Sequence, residues 1–126
     1  MNKYIELLKA HRSIRKYKDL PIEADKERAI IEAAQAASTS SFVQAYSIIG
    51  VKNQEMKTKL AELSGKQPYV EQCPLFLVFC ADLYRLNEVC KQKGSKMDGE
   101  YTETFMIATI DAALAAEALK DIIPNS

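Results

Sequence analysis

Apolar positions recur at helical spacing along much of the chain, and two shorter stretches carry the dense β-branched or aromatic character of strands. Ile5 and Leu8 share one helical face over residues 2–11, with Tyr4 and Leu7 beside them, which predicts a short amphipathic helix. Leu20-Pro21 marks a connector, because proline restricts the backbone of the residue before it. Ile30, Ala34 and Ala37 repeat at helical spacing, and Ile31 widens the stripe, predicting a second helix over residues 24–37. The run Ser38-Thr39-Ser40-Ser41 stops it, since these side chains compete for backbone hydrogen bonds. Residues 47–52 read as a strand and residues 54–63 as a polar helix closed by Ser64-Gly65. A short helix over 68–73 ends at Pro74. Residues 75–81 are continuously apolar between Pro74 and Asp82, the pattern of a central strand covered on both faces. Residues 84–93 predict another helix, followed by a loop at Lys93-Gly94-Ser95. The longest helix is expected over residues 99–121. From Phe105 to Leu119 it is apolar almost all round, broken by Thr109, Asp111 and Glu117, so it needs cover on every side.

At 126 residues the chain is one domain or a piece of one. Its 17 basic residues are balanced by 17 acidic ones, which argues against a general nucleic-acid binder with its usual surplus of Lys and Arg. No stretch approaches the roughly 20 apolar residues that span a membrane. Lys3, Glu6 and Lys9 interrupt the start, so it does not read as a secretory signal, and the expected location is cytoplasmic. Cys73, Cys80 and Cys90 show no C-x-x-C spacing and read as buried or half-buried thiols in a reducing compartment. With His11 as the only histidine, a zinc site is not expected.

The chemistry concentrates in two places. His11-Arg12-Ser13-Ile14-Arg15-Lys16-Tyr17 gathers a histidine, a hydroxyl and three cations after the first helix. Guanidinium forks match phosphate oxygens in geometry and charge, so Arg12, Ser13 and Arg15 suit an anion; a solvated basic strip is the commoner meaning of such a run. The serine run, with Gln44 and Gln67, suits the rim of a flat ligand rich in heteroatoms; locally it also suits a plain helix-ending turn. There is no G-x-G-x-x-G and no G-x-x-x-x-G-K, so a nucleotide would not be held in Rossmann or P-loop fashion. No nucleophile elbow accompanies the serines, which leaves a Ser–His–Asp triad without support.

Three segments in order, H-R-S-I-R at 11–15, A-S-T-S-S-F-V-Q-A-Y-S-I-I-G at 37–50 and S-G-K-Q-P-Y-V at 64–70, resemble the FMN-dependent nitroreductase superfamily. Its NADPH-preferring flavin oxidoreductase and oxygen-insensitive nitroreductase branch is the most similar. The resemblance runs to about Leu119. It implies an α+β fold, with helices around a mainly antiparallel sheet, and a homodimer with FMN at the interface. His11, Arg12, Ser13 and Arg15 are then expected to contact FMN, with the two arginines on its phosphate or ribityl chain. Thr39 falls where the family often has serine, and Ser40, Ser41 and Gln67 match polar positions beside the flavin ring. The implied activity is ping-pong hydride transfer from NAD(P)H through FMN to a small-molecule acceptor: a flavin, nitro compound or quinone. No metal is implied.

Family members are longer, and the tail from Lys120 departs from their pattern. Residues 1–126 are therefore expected to be the N-terminal part of such a domain, truncated on its C-terminal side and impaired in unaided activity. The alternative expectation is an inactive fragment that binds flavin weakly or serves as a dimer-interaction module.

Overall fold

The computed structural model describes residues 2–97 and 102–120. The expected ends of the long helix at 99–101 and 121, and the divergent tail at 122–126, lie outside the described residues. The elements run α1 (Lys3–Lys9), α2 (Ala24–Gln35), β1 (Tyr46–Val51), α3 (Gln54–Leu63), α4 (Pro68–Gln72), β2 (Phe76–Ala81), α5 (Tyr84–Gln92) and α6 (Thr102–Lys120). A single 3-10 turn, Ser40–Phe42, lies between α2 and β1.

Local chemistry sets most boundaries. The Asn53 side chain accepts the Met56 N–H at 3.0 Å and opens α3. At the other end, Gly65 takes φ +82° and the Lys66 N–H donates to the Ala61 carbonyl at 2.7 Å, which closes the helix in a Schellman turn. Helix α4 starts on Pro68, and Cys73 is already extended because Pro74 disfavours helical geometry before it.

β1 and β2 pair antiparallel, with Ile48 opposite Phe79 and Gly50 opposite Leu77. Ile48, Leu77 and Phe79 share the face that packs on the core. The core is Ile30 and Ala34 of α2, Tyr46 of β1, and Ala112, Ala115 and Leu119 of α6. Ala34 and Ala115 are both 0% exposed, so α2 and α6 meet through alanines, whose small side chains let the two backbones approach closely. The buried positions of α6, Ala108, Asp111, Ala112, Ala115 and Leu119, form one helical stripe.

One expectation needs correction. β2 is not a strand covered on both faces. Among the described residues it has β1 as its one neighbour, and its side chains are half-buried except Ala81, which is exposed. An uninterrupted apolar run signals cover on both faces, yet the second face, with Val78 and Cys80, is only partly packed. Helix α1 forms, but none of its residues is buried, so Ile5 and Leu8 make an exposed face. Helix α6 is apolar all round yet covered on one side: Phe105, Met106, Ile110 and Leu114 stay exposed. Cys73 is buried and Cys80 and Cys90 are half-buried, all as free thiols. Among the described residues, no helix is long and apolar enough to cross a membrane.

Candidate functional site

Helix α6 receives both chemistry-bearing segments. The His11 imidazole Nδ1 lies 3.9 Å from Oε1 of Glu117. The Ser40 N–H donates to Oδ1 of Asp111 at 3.1 Å. These anchor residues are six positions apart on the helix, a rise of about 9 Å. In the segment 11–17 a turn is closed by the Tyr17 hydroxyl, which donates to the Ile14 carbonyl at 2.9 Å. Burial first, then the neighbouring Cys73 and Tyr69, push the Tyr17 phenol above its usual value, against the pull of Arg15. Gln67 is the N-cap of α4.

The turn after α2 is unusual in its backbone. Ser41, Phe42 and Gln44 all take left-handed φ, at 51°, 54° and 53°. Each such non-glycine residue costs roughly 1–3 kcal/mol and persists only where its surroundings hold it. The bonds that hold this turn are specific. The Phe42 N–H donates to the Thr39 carbonyl at 3.2 Å and the Val43 N–H to the Ser40 carbonyl at 3.0 Å. The Thr39 hydroxyl oxygen accepts the Gln44 N–H at 3.2 Å, and Asp111 takes Ser40. The Arg85 guanidinium closes the far side, donating to the carbonyls of Gln44 at 2.8 Å and Tyr46 at 3.2 Å.

Arg85 is itself placed by Asp82, which accepts the Arg85 N–H at 3.1 Å and a short hydrogen bond from the Ser47 hydroxyl. The Ser47 bond, followed by the Arg85 backbone bond, holds the Asp82 carboxyl below its usual value of 3.8. A carboxyl whose folded value is depressed contributes stability above its unfolded value, and loses it as pH falls through the folded one. The stability difference between the native chain and Ser47→Ala is therefore expected to be larger at about pH 7 than at about pH 3, by chemical denaturation at each. A difference that does not shrink on acidification would contradict the Ser47–Asp82 pairing.

All eight predicted site residues can now be placed. His11, Arg12, Ser13, Arg15, Ser40, Ser41 and Gln67 are exposed, and Thr39 is half-buried. Lys16 and Lys18 are exposed, as expected for a solvated strip. Among the described residues neither Arg12 nor Arg15 is held in an ion pair. The structure draws His11 and Ser40 to one helix. It does not enclose the eight in one cavity. An open cleft of about 760 Å³ between α2 and the sheet is lined by Glu27, Ile31, Gln35, Ser47 and Arg85, and by none of the eight. Asp82, Arg85 and Asp111 were missed from sequence as supports of the turn. Asp82 had a signal, since an aspartate three residues before Arg85 at a helix start is a capping pattern.

Comparison with known proteins shows the family and the fold. Residues 8–122 match the model of the Nitroreductase family. The chain is 51% identical over 119 residues to an FMN reductase (NADPH) of Bacillus subtilis strain 168, covering 93% of this chain and 48% of that relative. It is 44% identical over 120 residues to an NADPH-dependent oxidoreductase of Staphylococcus aureus strain N315, covering 93% and 47%. Among solved structures, B. megaterium NfrA1 superposes with a TM-score of 0.91 at 51% identity, covering 95% of this chain and 49% of that one. The NADPH:FMN oxidoreductase of Vibrio harveyi, solved in complex with NAD+, superposes with a TM-score of 0.86 at 35% identity, covering 96% and 53%. The chain spans about half the length of these relatives. A match over nearly all of its residues, with close superposition on a solved structure at 51% identity, shows that the chain belongs to the nitroreductase family.

Proposed function

We propose that this chain is the part of an FMN-dependent NAD(P)H oxidoreductase, of flavin-reductase or nitroreductase type, that supplies the first set of FMN contacts. The observation that carries this reading is the convergence of the His11 and Ser40 segments on α6, in a chain 51% identical to an FMN reductase (NADPH). The residues present fit the group. Two guanidinium groups without ion-pair partners among the described residues suit a phosphate, and the hydroxyls and amide of Thr39, Ser40, Ser41 and Gln67 suit a heteroatom-rich ring. Bound FMN would supply hydride acceptance from NAD(P)H and delivery to a flavin, nitro compound or quinone. The chain's own part is to neutralise phosphate charge with Arg12 and Arg15, and to hold hydroxyls on a rigid turn.

The same reading takes the apolar stripe of α6 as a homodimer surface. Met106, Ile110 and Leu114 lie four residues apart, and Phe105 beside them is 64% exposed. An apolar face of this kind favours association. This stripe also supports a second reading, in which the chain serves as a dimer-interaction module that holds flavin only weakly.

Titration with FMN tests both. Arg15→Ala is expected to weaken FMN binding by about 1.5–3 kcal/mol, the range for hydrogen bonds to a charged group. Unchanged affinity after removal of both Arg12 and Arg15 would sink the phosphate assignment. NAD(P)H oxidation by the yellow, FMN-loaded chain separates the enzyme from the module, and light scattering reads the dimer. A monodisperse monomer would contradict the role given to α6.

A further inference from the structure

Asp111 stands out in the buried stripe of α6. It is 1% exposed and is the largest fully buried side chain among the described residues. Its Oδ1 accepts the Ser40 N–H at 3.1 Å, from a residue 71 positions earlier in the chain. Its Oδ2 is buried and has no hydrogen-bond partner among the described residues. A buried carboxylate is expensive to desolvate, so a side chain that served packing alone would be better apolar. What this carboxylate grips is the residue entering the left-handed stretch at Ser41, Phe42 and Gln44. Thr39 and Arg85 hold the later part of that stretch, and Asp111 is its tie to the core.

We propose that Asp111 is the positioning residue of the flavin-side turn: by taking the Ser40 N–H it fixes the left-handed geometry of Ser41, Phe42 and Gln44, and with it the directions of the Ser40 and Ser41 hydroxyls. The unpartnered Oδ2 is then acceptor capacity held at the base of the same turn. This role rests on the FMN reading above for its consequence, but the grip on Ser40 is a property of the chain alone.

The two parts separate in one experiment on the 126-residue chain, with amide hydrogen exchange resolved at Ser40 and FMN affinity measured alongside. In the native chain the Ser40 amide is expected to exchange at least about tenfold more slowly than a solvent-exposed amide. Asp111→Ala is expected to abolish that protection and weaken FMN binding about tenfold or more. Asp111→Asn keeps an acceptor oxygen for the Ser40 N–H, and is expected to restore most of the protection and bring affinity within about threefold of native. A merely structural carboxylate would show no such local rescue.

An unprotected Ser40 amide in the native chain overturns the grip without any variant, so a failure of Asp111→Ala to fold would not shield it. Lost protection with unchanged FMN affinity overturns the positioning role. A native chain that binds no FMN overturns the functional reading instead, while the Ser40 amide still decides whether Asp111 holds the turn.

Discussion

Ala115→Asp is expected to leave the chain without a cooperative unfolding transition. Ala115 is 0% exposed and faces the core shared by α2 and α6, where Ala34 is equally buried. Among the described residues, neither helix has a basic residue at a buried position to pair with a new carboxylate. An unpaired charge in such a place costs several kcal/mol, a large share of the roughly 5–15 kcal/mol that holds a domain together. The two alanines also leave no volume for the added atoms, so overpacking adds to the charge. Ala115→Gly tests the packing without the charge and is expected to cost about 1 kcal/mol, mainly through helix propensity. Thermal unfolding followed by circular dichroism reads both. A sharp transition near the native midpoint for Ala115→Asp would show that α2 and α6 do not meet through this surface.

Lys57 carries the second large effect. This lysine of α3 is only 5% exposed, and its ammonium donates to the Cys73 carbonyl at 2.7 Å. The bond ties α3 to the residue after α4, where the chain turns into β2. Thr58 assists through the Glu71 carboxylate at 2.8 Å, and Gln54 through the Glu71 carbonyl at 3.1 Å. The nearby Lys57 charge pulls the Cys73 thiol down, although burial is the larger influence and leaves it raised. Lys57→Met keeps most of the buried stem but removes the donor, and is expected to cost about 1–2 kcal/mol for a carbonyl left without it. Lys57→Ala also opens a cavity and is expected to cost about 3–4 kcal/mol. Urea denaturation of the two variants separates the contributions. Equal losses for Met and Ala would mean that the stem's packing is worth nothing, and no loss for either would mean that the bond to Cys73 is not made.

The candidate site was legible where it is made of contiguous residues. His11, Arg12, Ser13 and Arg15 stand together because one short loop carries them, and Thr39, Ser40 and Ser41 because one turn does. Its supports were not legible. Asp111 appeared in the sequence as one of three interruptions of an apolar helix, with nothing local to say that it meets Ser40. Arg85 looked like an ordinary surface residue of a helix, although its guanidinium clasps two carbonyls more than 35 residues earlier.

Helix and strand positions follow from spacing that the chain carries within a few turns, so the order of α1 to α6 and the two strand segments could be read from the sequence, while the antiparallel arrangement came only with the family that three motifs in order pointed to. Local pattern measures which residues avoid water; it does not say which neighbour arrives to cover them. That is why α1 and α6 looked like faces awaiting cover while the structure covers one side of α6 and none of α1. The same limit hid the burial of Lys57, whose charge marks it as a surface residue until α4 folds back over its stem. It also hid the left-handed geometry of Ser41, Phe42 and Gln44, since none of these residue types favours it alone and distant partners, Asp111 and Arg85, join the local bonds to Thr39 and Ser40 in holding it.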